Sequence, residues 1–172
     1  MDMTDKYEAL VLKGAKFQVM INATINALVP ALTLSGVYMT IMGGSGMVVD
    51  FLIMNFFLIF FVFLFARKEV ADWGAKNNAH GVWYNETKHK DLKKYLHRGF
   101  FKNFLSIFVR YNITMALPVI VACGFIYPEA GIPIAHFVFI KCVYSVFLAN
   151  KVATLGGRLG SIDPKSIKLA QA

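Results

Sequence analysis

Five polar residues, Asp50, Asn55, His136, Lys141 and Tyr144, stand inside apolar stretches of this chain. A carboxylate, a carboxamide, an imidazole, an ammonium and a phenol are the groups of ion pairing and proton exchange. Lys141 lies in HFVFIKCVYSVFLANK, a run that reads as a membrane-spanning helix, near its middle. An isolated lysine at mid-depth in a bilayer costs at least about 2.5–3.5 kcal/mol on insertion scales. Turning it inward, toward Asp50 or Asn55 or a wet cavity, lowers that cost. Tyr144 and Ser145 follow it by three and four residues and share its helix face. These residues predict a buried polar cluster: Lys141 pairs with Asp50, and Asn55, His136 and Tyr144 complete the network. Such a cluster can clamp helices in register, or it can line a path for an ion or substrate.

Other polar residues offer less chemistry. Arg110 stands near one end of its apolar run, and its stem can carry the guanidinium back to the headgroups. His80, His89 and His97 lack a zinc-ligand spacing, so neither a metal nor another cofactor is expected. Cys123 and Cys142 fall at different expected depths and read as small apolar packing residues rather than a disulfide. There is no phosphate-binding loop, nucleophile elbow or paired-carboxylate arrangement in the sequence. An enzyme is therefore not expected.

The elements that must position these side chains follow from composition. The 172 residues are 57% hydrophobic and 16% charged, with 16 Phe. Soluble domains run about 45–50% apolar and about 25% charged, so a bilayer is the better solvent for this chain. A helix crossing the hydrocarbon core needs about 20 mostly apolar residues. Four stretches qualify, at 17–41, 47–66, 104–126 and 132–149. MGGSG joins the first two and YPEAG the last two, and both read as tight turns. The expected fold is all-α, an integral membrane four-helix bundle of two helical hairpins, 17–66 and 104–149. A tail at 1–16, a loop at 67–103 and a tail at 150–172 complete it. The first 16 residues are too polar for a signal peptide.

Orientation follows from charge. Of the 18 basic residues, 16 lie in the two tails and the central loop, and neither short turn contains one. Cationic loops stay in the cytoplasm, so both termini are expected there, with a prokaryotic cytoplasmic membrane as the site. The net charge of +8 does not point to nucleic acid, because apolar segments separate the charges and no binding motif is present. It points to anionic lipid. Arg67, Lys68, Lys93, Lys94, Arg98, Lys102 and Arg110 are the expected headgroup contacts. Leu92, Tyr95, Leu96 and Gly99 recur at helical spacing among them, which predicts an amphipathic helix lying on the membrane. Trp73, Trp83 and Tyr84 suit the headgroup layer. The same basic loop could instead dock a cytoplasmic partner.

The two hairpins share a spacing. Pro30 and Gly36 recur as Pro118 and Gly124 at a constant offset of 88, which relates the hairpins as tandem parallel repeats. Each proline predicts a kink, and each glycine a close helix approach. Two functions fit. One is an accessory or structural subunit of a larger membrane complex, meeting other membrane subunits or its own copies. The other is a small oligomeric transporter or channel unit that uses the Asp/Lys/His cluster. Polar residues sealed in a dry interface favour the first, and polar residues facing a cavity favour the second.

Overall fold

The computed structural model describes residues 3–34, 38–44, 46–79, 90–96, 98–127 and 131–162. Trp83, Tyr84, His80, His89, His97 and Gly36, singled out above, lie outside them. The elements are α1 (Met3–Thr33), β1 (Tyr38–Met39), α2 (Met47–Lys76), α3 (Lys90–Leu96), α4 (Phe100–Tyr111), α5 (Leu117–Ile126), β2 (Ile132–Pro133) and α6 (Ile134–Gly160). A π-helical turn, Asn112–Ala116, joins α4 to α5 into one rod.

Apolar runs become helices because hydrocarbon leaves the backbone no other way to satisfy its polar groups. Among the described residues, three helical stretches are long and apolar enough to cross a membrane: Met47–Lys76, Phe100–Ile126 and Ile134–Gly160. The sequence reading had four. Residues 17–33 do form helix, but as the second half of α1, whose first half is the segment read as a tail. Gln18, Asn22, Thr24 and Asn26 dilute its apolar character. Leu34 is no longer helical, and Tyr38–Met39 form β1.

Two other boundaries move. α2 continues through Arg67 to Lys76, and the amphipathic helix in the basic loop is the short α3, with Leu92, Tyr95 and Leu96 buried. α6 continues past 149 to Gly160, and its last turns are packed, not a loose tail. GGRLG explains this. A Cβ on Gly156 would stand 3.0 Å from the Phe63 carbonyl, and one on Gly157 would stand 3.2 Å from Val11. A Cβ on Gly160 would collide with the Arg67 carbonyl. Bare glycines let the helices approach closely, and van der Waals contact follows.

α6 is therefore the centre of the fold. It runs parallel to α2, with Asp50 opposite Lys141 at one end and Arg67 opposite Gly160 at the other. It runs antiparallel to α1, whose Tyr7 lies by Gly157 and Ala23 by Cys142. Phe51, Ile59, Phe63, Phe137, Leu148 and Val152 fill the α2–α6 seam and are inaccessible. α1 and α2 meet mainly at the basic end, through Tyr7 and Trp73 rings 6.4 Å apart and Glu69 beside Gly14. Burial raises the Tyr7 phenol well above its ordinary pKa.

At the opposite, turn end, β1 pairs antiparallel with β2 (Tyr38 with Pro133, Met39 with Ile132), tying the two loops together. Gly131 allows this with a φ of +78°, and any Cβ there would meet the Met39 carbonyl at 2.6 Å. The Thr40 and Ile41 carbonyls accept hydrogen bonds from Met47 and Val48, capping the start of α2.

The α4–α5 rod stands apart. Its first half lies on α2 through a phenylalanine lattice: Phe56 and Phe60 meet Phe104 at 5.3 and 5.5 Å, edge to face. Its second half leaves Leu117, Val121, Phe125 and Ile126 exposed. Pro118 explains the π turn. Its ring crowds the preceding turn, and the Leu117 N–H reaches back to the Asn112 carbonyl, one residue further than in an α-helix. Asn112 and Thr114 side chains cover the Phe108 and Arg110 carbonyls at 2.8 Å. Pro30 does not interrupt α1 midway, since the helix ends three residues later. Nothing lies within 4 Å of a Cβ built on Gly124, so the close approach expected there is absent: α5 packs little against α6 at that level.

Candidate functional site

Lys141 on α6 and Asp50 on α2 face each other because the two helices run parallel, with the first turn of α2 beside the eighth residue of α6. The ammonium lies 2.8 Å from Asp50 Oδ1 and 2.7 Å from Oδ2. The Lys141 side chain is 9% exposed and that of Asp50 28%, so the carboxylate is the more open partner. The Phe137 ring stands 5.7 Å from the ammonium, within range of a cation–π attraction. With α6 running to Gly160, Lys141 belongs to its first third and not its middle.

Asn55 and Tyr144 form a second, separate site one turn deeper. Asn55 is inaccessible. Its amide nitrogen donates to the Tyr144 hydroxyl at 2.8 Å and to Asn112 Oδ1 at 2.9 Å. Three elements, α2, α6 and the π turn, are thereby locked together. The Asn55 oxygen takes no hydrogen bond among the described residues. Phe51 separates the two sites, its ring 6.3 Å from Phe137 and 4.8 Å from Tyr144.

His136 joins neither. It is exposed, and its Nδ1 lies 2.9 Å from the Tyr127 hydroxyl near the turn end. The cluster expected from the sequence thus divides into an ion pair, an amide–phenol clamp and a remote histidine. The reason is angular: five residues separate His136 from Lys141, which turns an α-helix by about 140° past a full revolution. Asn112, absent from the cluster expected from the sequence, is a member of the clamp. Its signal was a polar residue one turn and a half before Pro118 in an apolar run.

The basic residues distribute along the opposite end. Lys68, Lys93, Lys94, Arg98 and Lys102 are exposed, and Arg67 is half-buried. Lys94 stands 5.2 Å from the Tyr95 ring. Arg110 is exposed and reaches 3.4 Å from the Tyr95 hydroxyl, so it points toward α3 and the basic end. Among the described residues no three His, Cys, Asp or Glu gather as metal ligands. Cys123 and Cys142 are free thiols.

The feature the sequence did not reveal is a lateral groove of about 990 Å³ between α1 and α2, with Lys141 reaching into it from α6. α1 and α2 touch at the basic end and part beyond it. One wall is a ladder of amides: Asn22 Nδ2 donates to the Gln18 carbonyl at 2.8 Å and Asn26 Nδ2 to the Asn22 carbonyl at 2.9 Å. The other wall is a ladder of rings, Phe57, Phe61 and Phe65, stacked at 6.3 and 6.1 Å. Asp50 and Lys141 line the groove, whereas Asn55 and Tyr144 do not. No family model, curated protein or solved structure matches this chain.

Proposed function

We propose that this protein is a small non-catalytic subunit of a larger membrane complex, built to pack against other membrane helices. The α4–α5 rod carries the reading. It is the least buried of the three long apolar helices, and its outer half offers Leu117, Val121, Phe125 and Ile126 to its surroundings. The sealed Asn55–Tyr144–Asn112 clamp fixes the angle at which the rod leaves the body. Partner helices or the rod of a second copy would complete that face. In this reading α1 is a fourth crossing, its amides turned to the groove. Both termini are cytoplasmic, in a prokaryotic inner membrane, and the basic end rests on anionic lipid. The tandem-repeat relation rests on the spacing that Pro30 and Gly36 share with Pro118 and Gly124.

Extraction into native-lipid nanodiscs, with a photocrosslinking side chain at Val121 or Phe125, tests the proposal. It expects a stoichiometric crosslink to a second protein or a second copy. A monodisperse monomer with no crosslink at either position would refute it.

A second reading, a transport unit, has one observation in its favour: Asp50 and Lys141 face a groove, not a sealed interface. Dissipation of an ion gradient by the purified chain in liposomes, abolished by Lys141→Leu, would favour it.

A further inference from the structure

The groove concentrates acid in a basic protein. The chain holds 18 Lys and Arg against 10 Asp and Glu, a net charge of +8. Yet the groove takes three of the acids, Asp50, Glu69 and Asp72, and only two of the bases, Lys68 and Lys141. Its uncharged polar lining includes two buried amides. Asn22 and Asn26 are 9% and 7% exposed, and their amide nitrogens are occupied by backbone carbonyls of α1. Each nitrogen spends one of its two N–H donors in this way, and each carboxamide oxygen can accept from a ligand in the groove. The facing wall of Phe57, Phe61 and Phe65 is apolar and suits the hydrocarbon part of a ligand. The excess of carboxylates selects positive charge and the amide oxygens can accept from it, and the cavity volume of about 990 Å³ is at the upper end of small-molecule sites, about 300–1,000 Å³.

We infer that the groove between α1 and α2 binds an amphipathic organic cation, its charged centre near Asp50 and Asn26 and its apolar part along the phenylalanine ladder. Lys141 is the resident cation at that place. An incoming cation shares or takes over Asp50, whose side chain is the more exposed of the pair. The inference goes beyond the subunit reading and does not depend on it: a protein that crosslinks to a partner through its rod can still hold a cation in this groove, and one that crosslinks to nothing can too.

Equilibrium dialysis of the full chain in nanodiscs tests it, with empty nanodiscs subtracted. The probes are radiolabelled tetraphenylphosphonium and tetraphenylborate, near-identical in shape and opposite in charge. The expected result is saturable, displaceable binding of the phosphonium and none of the borate. Asp50→Asn should weaken the phosphonium by at least about tenfold, the loss of one good charge contact. Lys141→Gln should tighten it, because a competing cation is gone. These opposite signs separate a binding site from a structural clamp, which both substitutions would damage alike. If Asp50→Asn does not fold, the double variant Asn26→Leu/Phe61→Leu replaces it, since it alters both walls and spares the ion pair, and it should also weaken binding. Absence of a saturable component, as when a helix of another protein fills the groove, overturns the inference. So does borate binding as tight as phosphonium, or Kd unchanged in both groove variants.

Discussion

Lys141 and Asp50 show how a charge is tolerated in apolar surroundings. Each is costly alone, and the 2.7 Å contact offsets much of that cost. Breaking such a pair on one side leaves an orphaned charge, whereas replacing both members removes charge and partner together. Lys141→Met alone should therefore destabilise the fold by about 3 kcal/mol, and Asp50→Asn/Lys141→Met by much less. Unfolding in mild detergent by SDS titration measures both, and losses that simply add would show that the two residues do not interact. The need for a partner was legible in the sequence, since an ammonium in an apolar run has few choices. The identity of the Asn55 partners was not. Asn112 reaches Asn55 from the start of the π turn, across 57 residues of chain, a pairing that no local pattern announces.

At the scale of elements, α6 organises the fold through its glycines. Two of these glycines, and Gly124 on α5 as a control, differ in what an added methyl would meet, and this ranks their substitutions. Gly160→Ala drives a Cβ into the rigid Arg67 carbonyl and should cost about 1–3 kcal/mol as overpacking. Gly157→Ala meets only side-chain atoms, of Val11 and Val70, which can shift, and should cost less. Gly124→Ala meets nothing within 4 Å and should be neutral or stabilising, by up to about 1 kcal/mol of helix propensity. The same SDS titration reads all three, and equal effects would mean that α6 does not press against α2. The sequence reading emphasised Gly36 and Gly124, which share a spacing with prolines, and passed over GGRLG because the apolar run ends near Ala149. Helix formation is decided by hydrogen bonding within a segment, but helix length also depends on what the segment lies against. The last turns of α6 are held by α1 and α2, which no property of residues 150–160 alone announces.

At the scale of the whole molecule, the turn end and the basic end should lie on opposite sides of a bilayer. Single cysteines at Gly44 and Asn77, introduced with Cys123 and Cys142 replaced by Ala, should react with an impermeant maleimide from opposite faces of sealed vesicles. Cysteines at Glu8 and Tyr38 ask the same of α1: labelling from opposite faces makes α1 a crossing, and labelling from one face removes it. The sequence by itself determined that the chain is helical and apolar and that its positive charge gathers at one end. Those properties are local, because a backbone without water must bond to itself and a charge must stay near water. Only the tertiary structure decided that α6 rather than α1 is the neighbour of α2, that β1 and β2 join the turns, that His136 stands apart, and that α1 and α2 part to leave a groove. Leucine, phenylalanine and valine meet lipid and neighbouring helices with nearly equal ease. Which faces touch is therefore settled by a few glycines and polar contacts whose positions mean little until the helices are laid side by side.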